Sequence, residues 1–160
     1  MISRVWLFLI CAVSVWAQAT APAQPIPFSH KQHVGVLKLK CNMCHPNRDP
    51  GETMGIAAAS VCMQCHSAVK RDSPAIQKVA EAAKNAKSIR WRRVYEIPSY
   101  VFFSHRTHLT AGNKCEDCHG AVAEREVLAR ETDVSMTGCM TCHTKKKASN
   151  DCTTCHDQRN

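Results

Sequence analysis

Cys41-Asn-Met-Cys44-His45 is the stretch on which the fold turns, because the chain writes the same pattern four more times. The others are Cys62-Met-Gln-Cys65-His66, Cys115-Glu-Asp-Cys118-His119, Cys139-Met-Thr-Cys142-His143 and Cys152-Thr-Thr-Cys155-His156. Ten of the 11 cysteines are thereby consumed, each pair followed at once by histidine. Two thiols three positions apart can each form a thioether to one edge of a porphyrin, and the next histidine then offers its imidazole to the iron. Zinc would need two such pairs, or a pair and two histidines, to converge on four ligands, and would require no particular residue after each pair. A disulfide framework leaves the histidines equally unexplained. The pattern therefore points to five covalently attached c-type haems, with His45, His66, His119, His143 and His156 as proximal ligands.

The rest of the composition agrees. Apolar residues make up 44% of the 160-residue chain but aromatic residues only 6%, which leaves little bulk for a side-chain core. Chains of this size usually need staples, and five haems would supply the missing apolar volume. The expected fold is accordingly mostly irregular with short α-helices around a core of haem. At the N-terminus, Arg4, the apolar run from Val5 and the Ala17-Gln18-Ala19 triplet read as an export signal cleaved after Ala19. That run falls short of the roughly 20 residues of a bilayer span, Cys11 leaves with it, and no transmembrane segment is expected in the mature chain. The expected location is periplasmic. The formal charge of +8 would ordinarily raise nucleic acid as a partner, but ten haem propionates would neutralise most of it, and no nucleic-acid partner is expected. Lys145-Lys146-Lys147 reads as a solvated turn between two sites, with a docking patch as the second reading.

Phe28-Ser29-His30-Lys31-Gln32-His33 aligns with Phe103-Ser104-His105-Arg106-Thr107-His108, and two C-x-x-C-H sites follow each segment. The organisation is a duplicated module with a third site appended to the second copy: a signal over 1–19, a dihaem module over 20–72, a linker over 73–98 and a trihaem module over 99–160. Within the linker, Ser73-Pro74 followed by Ile76, Val79, Ala80 and Ala83 predicts one amphipathic helix from Pro74 to Lys87. Tyr100 to Phe103 reads as a short extended segment, and 46–52 as an irregular loop.

A low-spin haem needs a sixth ligand, usually His or Met. Of nine histidines, the four outside the motifs are His30, His33, His105 and His108. They are the four of the two F-S-H-x-x-H segments, so five haems have four distal histidines between them. Met43, Met63 and Met140 lie inside C-x-x-C loops, which leaves Met54 and Met136 as candidates for the remaining iron.

With these segments the chain resembles the class III multihaem cytochromes c, whose F-x-H-x-x-H segment supplies distal ligands. The Ile97-Pro98 to His108 run, with C-x-x-C-H-G after it, is most similar to the pentahaem cytochrome c subunit of alternative complex III and related menaquinol oxidoreductases. The resemblance covers Pro25 to His156. It implies His30 for the haem of His45, His33 for that of His66, His105 for that of His119 and His108 for that of His156. In trihaem relatives a histidine stands three residues before the middle site. Here that residue is Met136, which the resemblance assigns to the haem of His143.

The expected function is electron transfer by a haem relay rather than catalysis. The relay is either a diffusible periplasmic carrier or the haem subunit of a menaquinol-oxidising respiratory complex, which the resemblance favours, with redox proteins and integral membrane quinol-oxidoreductase subunits as partners. The alternative is a multihaem reductase with one open catalytic haem. It would need a substrate-positioning set, and the motifs show none.

Overall fold

The computed structural model describes residues 21–156. The export signal expected over 1–19 lies outside them. Helices and irregular chain make up the described residues, and no strand occurs among them. A π-helical turn over Lys31–Val36 comes first, then α1 (Cys41–Cys44), α2 (Ala59–His66), α3 (Pro74–Lys84), α4 (His105–Thr110), α5 (Cys115–His119), a 3₁₀ turn over Val122–Glu124, α6 (Met136–Lys146) and α7 (Cys152–Cys155). Every C-x-x-C pair therefore sits on a helix. Residues three apart share a helix face, so each short helix presents its two thiols on one side.

Side-chain packing is slight. Among the described residues the buried apolar positions are Ile26, Ala59 and Val79, joined by the half-buried Cys62, Met63 and Trp91. This cluster sits where α2 packs on α3. Helix α3 runs from the extended Ser73 with Pro74 in its first turn, as the sequence predicts, and stops at Lys84 rather than Lys87. Tyr100 to Phe103 is a turn followed by irregular chain, tied by the Phe102 amide to the Cys155 carbonyl at 2.6 Å. The expected extended segment forms no strand because this amide bonds a helix end instead of a neighbouring strand.

The two histidine segments are held against other parts of the chain by main-chain contacts. The Lys31 amide donates to the Arg125 carbonyl at 2.9 Å. Gly35 lies so close to the carbonyl of Ala123 that any Cβ would collide with it. On the other segment, the His105 and Arg106 amides donate to the carbonyls of Glu52 and Gly51 at 3.2 and 3.0 Å. The Arg106 guanidinium adds a bond to Asp49 at 2.6 Å. The loop after α1 thus clasps the start of α4. Gly51 takes a positive φ of 91° there, and the Arg106 side chain occupies the space a Cβ would need.

Candidate haem centres

Local chemistry fixes how each imidazole is presented. In both copies the phenyl ring two residues before the first histidine meets it edge-on, Phe28 on His30 at 4.9 Å and Phe103 on His105 at 4.8 Å. The same rings stack on the second histidine, Phe28 on His33 at 4.4 Å and Phe103 on His108 at 4.6 Å. His33 Nδ1–H donates to the Ser29 carbonyl and His108 Nδ1–H to that of Ser104, each at 2.8 Å. Further Nδ1–H donations run from His105 to Glu52 at 2.8 Å, His45 to Gly55 at 3.0 Å, His66 to Val69 at 3.0 Å and His143 to Ser149 at 2.6 Å. A carbonyl on Nδ1 sets the tautomer and leaves Nε2 as the ligating atom, the usual arrangement behind a metal-bound imidazole.

Across the gaps these imidazoles face one another in pairs. His30 and His45 have ring centroids 6.4 Å apart and planes within 8°. His105 and His119 repeat this at 6.5 Å and 2°. His33 faces His66 at 6.1 Å with planes tilted 53°, and His108 faces His143 at 6.1 Å and 35°. An imidazole nitrogen bonds a transition metal at about 2.0–2.1 Å; with the ring centre about 1.1 Å behind it, two axial imidazoles on one metal stand about 6.3 Å apart. All four spacings fit one iron between each pair. A pocket lined by His30, His45, Cys41, Cys44, Val34 and Leu39 lies in the first gap, apolar in wall and flanked by both thiols. The residues present therefore fit a covalently attached haem.

Burial, then His45 and His33, lowers the His30 pKa from the ordinary imidazole value to about 4. His119 is lowered by burial first, then by His105 and His45. Both imidazoles are thus held in the neutral form that ligates metal.

Neighbouring sites meet at their thiols. Burial pushes the Cys44 thiol up, and Cys62 and Cys41 push it further. Cys115 is raised by burial and then by Cys41, with which it shares a hydrogen bond. Cys118 is raised by burial and then chiefly by Cys142. Cys139 is raised by burial and then by Cys155. The attachment sites consequently adjoin in the order of His66, His45, His119, His143 and His156.

The ring pairing of the second copy differs from the expected assignment. His108 faces His143, not His156, because the π-helical turn and α4 each place their second histidine over the second C-x-x-C-H that follows. The place opposite His143, to which Met136 was assigned, is thereby filled. Met136 instead starts α6, 64% exposed. The ring near His156 is that of Tyr100, at 6.1 Å and 19°, and the Tyr100 carbonyl lies 3.4 Å from His156 Nδ1. Motif reading missed Tyr95. Its hydroxyl accepts from the amides of Glu131 and Thr132 at 2.9 and 3.3 Å while its ring meets His119 edge-on at 4.8 Å. Nothing in its spacing marks it.

Comparison with known proteins gives the family. The class III cytochrome C family model matches residues 12–92, and that of cytochrome c7 and related cytochrome c matches 101–157. The menaquinone reductase multiheme cytochrome c subunit of Nitratidesulfovibrio vulgaris is 32% identical, over 83% of this chain and 76% of that protein. Among the described residues, no helix is long and apolar enough to cross a membrane. The paired imidazoles, the helix-borne thiol pairs and these matches together place the chain in the class III cytochrome c family, multihaem electron-transfer proteins with covalently attached haem c.

Proposed function

We propose that this chain is an exported pentahaem cytochrome c that relays single electrons as the haem subunit of a menaquinol-oxidising respiratory complex. The ten cysteines attach five haems, with His45, His66, His119, His143 and His156 on one side of the irons and His30, His33, His105 and His108 on the other side of four. The observation that carries the relay is the unbroken adjacency of the attachment thiols from the His66 site to the His156 site. The haem supplies the redox chemistry. The protein holds each imidazole neutral and aimed, and keeps successive porphyrin edges together.

Assignment to a complex rests on the likeness to a menaquinone reductase subunit over most of both chains. The partners are then integral membrane quinol-oxidoreductase subunits and a downstream redox protein, met on the periplasmic side. Intact mass and pyridine haemochrome assay of the native protein should give five haems on a chain beginning at Thr20. Affinity purification from membranes in mild detergent should bring down integral membrane subunits. Recovery of a monomer alone would instead indicate a diffusible carrier.

A further inference from the structure

Tyr95 lies in the segment between the two copies, outside every motif and every facing pair of imidazoles. Resting on the reading of a haem between His105 and His119, we infer that Tyr95 is a positioning residue for that haem: its hydroxyl, clamped by residues 131 and 132, fixes its ring, and the ring holds the His119 imidazole parallel to that of His105. The proximal rings of His45, His66 and His143 each have a carbonyl on Nδ1, at 3.0, 3.0 and 2.6 Å. At His119 the neighbour is instead the half-buried Tyr95 ring, which meets it edge-on with centroids 4.8 Å apart and planes at 89°. Phe103 meets His105 in the same way, at 4.8 Å and 87°. The two imidazoles so held are the most nearly parallel of the four facing pairs, with planes 2° apart.

The hydroxyl decides where the ring stands. It accepts from the Glu131 and Thr132 amides at 2.9 and 3.3 Å, bonds that a phenyl ring could not make. Glu131 is itself held, since Arg125 donates to its carboxylate through Nε and, at 3.0 Å, through Nη2. That carboxylate lies so close to Gly120, the residue after His119, that a Cβ there would collide with it. Gly120 also takes a positive φ of 72°. Ring and carboxylate thus both bear on the end of α5, where His119 sits. Arg125 extends the bracket to the first copy, its carbonyl accepting from the Lys31 amide at 2.9 Å, next to His30. A side chain behind an axial imidazole fixes its orientation when its own rotamer is locked by such bonds. The His119 site is the middle one in the order of adjoining thiols, so electrons crossing the relay pass its iron. A ligand plane that cannot swing keeps the rearrangement at each transfer small.

The test uses native holoprotein, with haems counted by intact mass and ligand planes read by electron paramagnetic resonance. Parallel axial planes give a rhombic low-spin signal; as the planes turn apart, the largest g value rises and the signal becomes axial. In wild type the most rhombic signals should come from the His30/His45 and His105/His119 pairs. His30→Ala turns the first of these high-spin and leaves the His119 haem as the most rhombic. In that background and in wild type, Tyr95→Phe should broaden this signal and raise its largest g value with every haem still attached. Tyr95→Leu, which removes the ring as well, should raise it further. An unchanged rhombic signal in Tyr95→Phe would overturn the proposal whatever the leucine variant gives, and so would a shift confined to the signals of the tilted pairs. Loss of haem from Tyr95→Phe would overturn it too, since orienting an imidazole is not needed for attachment. A wild-type mass showing fewer than five haems would instead overturn the pentahaem reading itself.

Discussion

His108 shows how much a single residue can say when its copy is consulted. In the first copy His33 faces the second following site, His66, and in the second copy His108 faces the second following site, His143. Applied consistently, the internal repeat gives the ring that His108 faces; the family resemblance implied the last site instead. His108→Ala should therefore convert one low-spin haem, that of His143, to high-spin, as read by electron paramagnetic resonance. A variant that also lacks the last haem, through Cys152→Ser/Cys155→Ser, should keep that high-spin signal; its disappearance would mean that His108 serves the His156 site. His30 makes a second prediction. Its folded pKa is lowered to about 4 from the ordinary value of 6.5. Between these values the unfolded chain binds more protons than the native one, so this contribution to stability is complete above the ordinary value and lost as pH falls toward 4. The low-spin signal of the His30/His45 haem should accordingly survive acidification well below the ordinary imidazole range. Its loss close to that ordinary value would contradict the burial described for His30.

At the scale of elements, the short helices are scaffolds for ligands, and their ends carry the positioning. Ser104 caps α4, its hydroxyl accepting from the Thr107 amide at 3.3 Å, while its carbonyl takes the His108 Nδ1 proton at 2.8 Å. It is also the buried polar residue among those described. Ser104→Ala removes only the cap and should cost about 1 kcal/mol. Thermal unfolding should shift down while the low-spin spectrum persists, because the carbonyl is main chain. A change of spin state in this variant would mean that the hydroxyl, not the carbonyl, orients His108. Helix α3 was legible from its apolar period and its Ser-Pro start. The clasp of the 46–52 loop on α4 was not, because a main-chain carbonyl accepting from His105 leaves no trace in residue type.

Across the whole molecule, the described residues bury three apolar side chains, the largest of them Val79 and Ile26. At about 25 cal/mol per Å² of apolar area, so few residues cannot offset the entropy of ordering a chain of this length. The haems have to supply the remaining apolar contact. Chain produced without haem attachment should show little helical circular dichroism and no cooperative thermal transition. A cooperative transition in that apo-chain would mean that the core around α2 and α3 is sufficient by itself.

What the sequence by itself determined is the chemistry. Spacing within C-x-x-C-H is local, and an α-helical turn turns it directly into two thiols on one face with an imidazole behind them. The repeat of F-S-H-x-x-H likewise reads directly as two equivalent sources of distal histidine, and both copies hold their rings in the same way. Which site each ring faces, and which sites adjoin, only the tertiary structure decided. Those relations depend on how the loop after α1 meets α4, how the turn at Val122–Glu124 meets Gly35, and how Asn150 in the loop before α7 is bonded to α6. They are contacts between residues far apart in the chain, made largely through main-chain groups that every residue type shares.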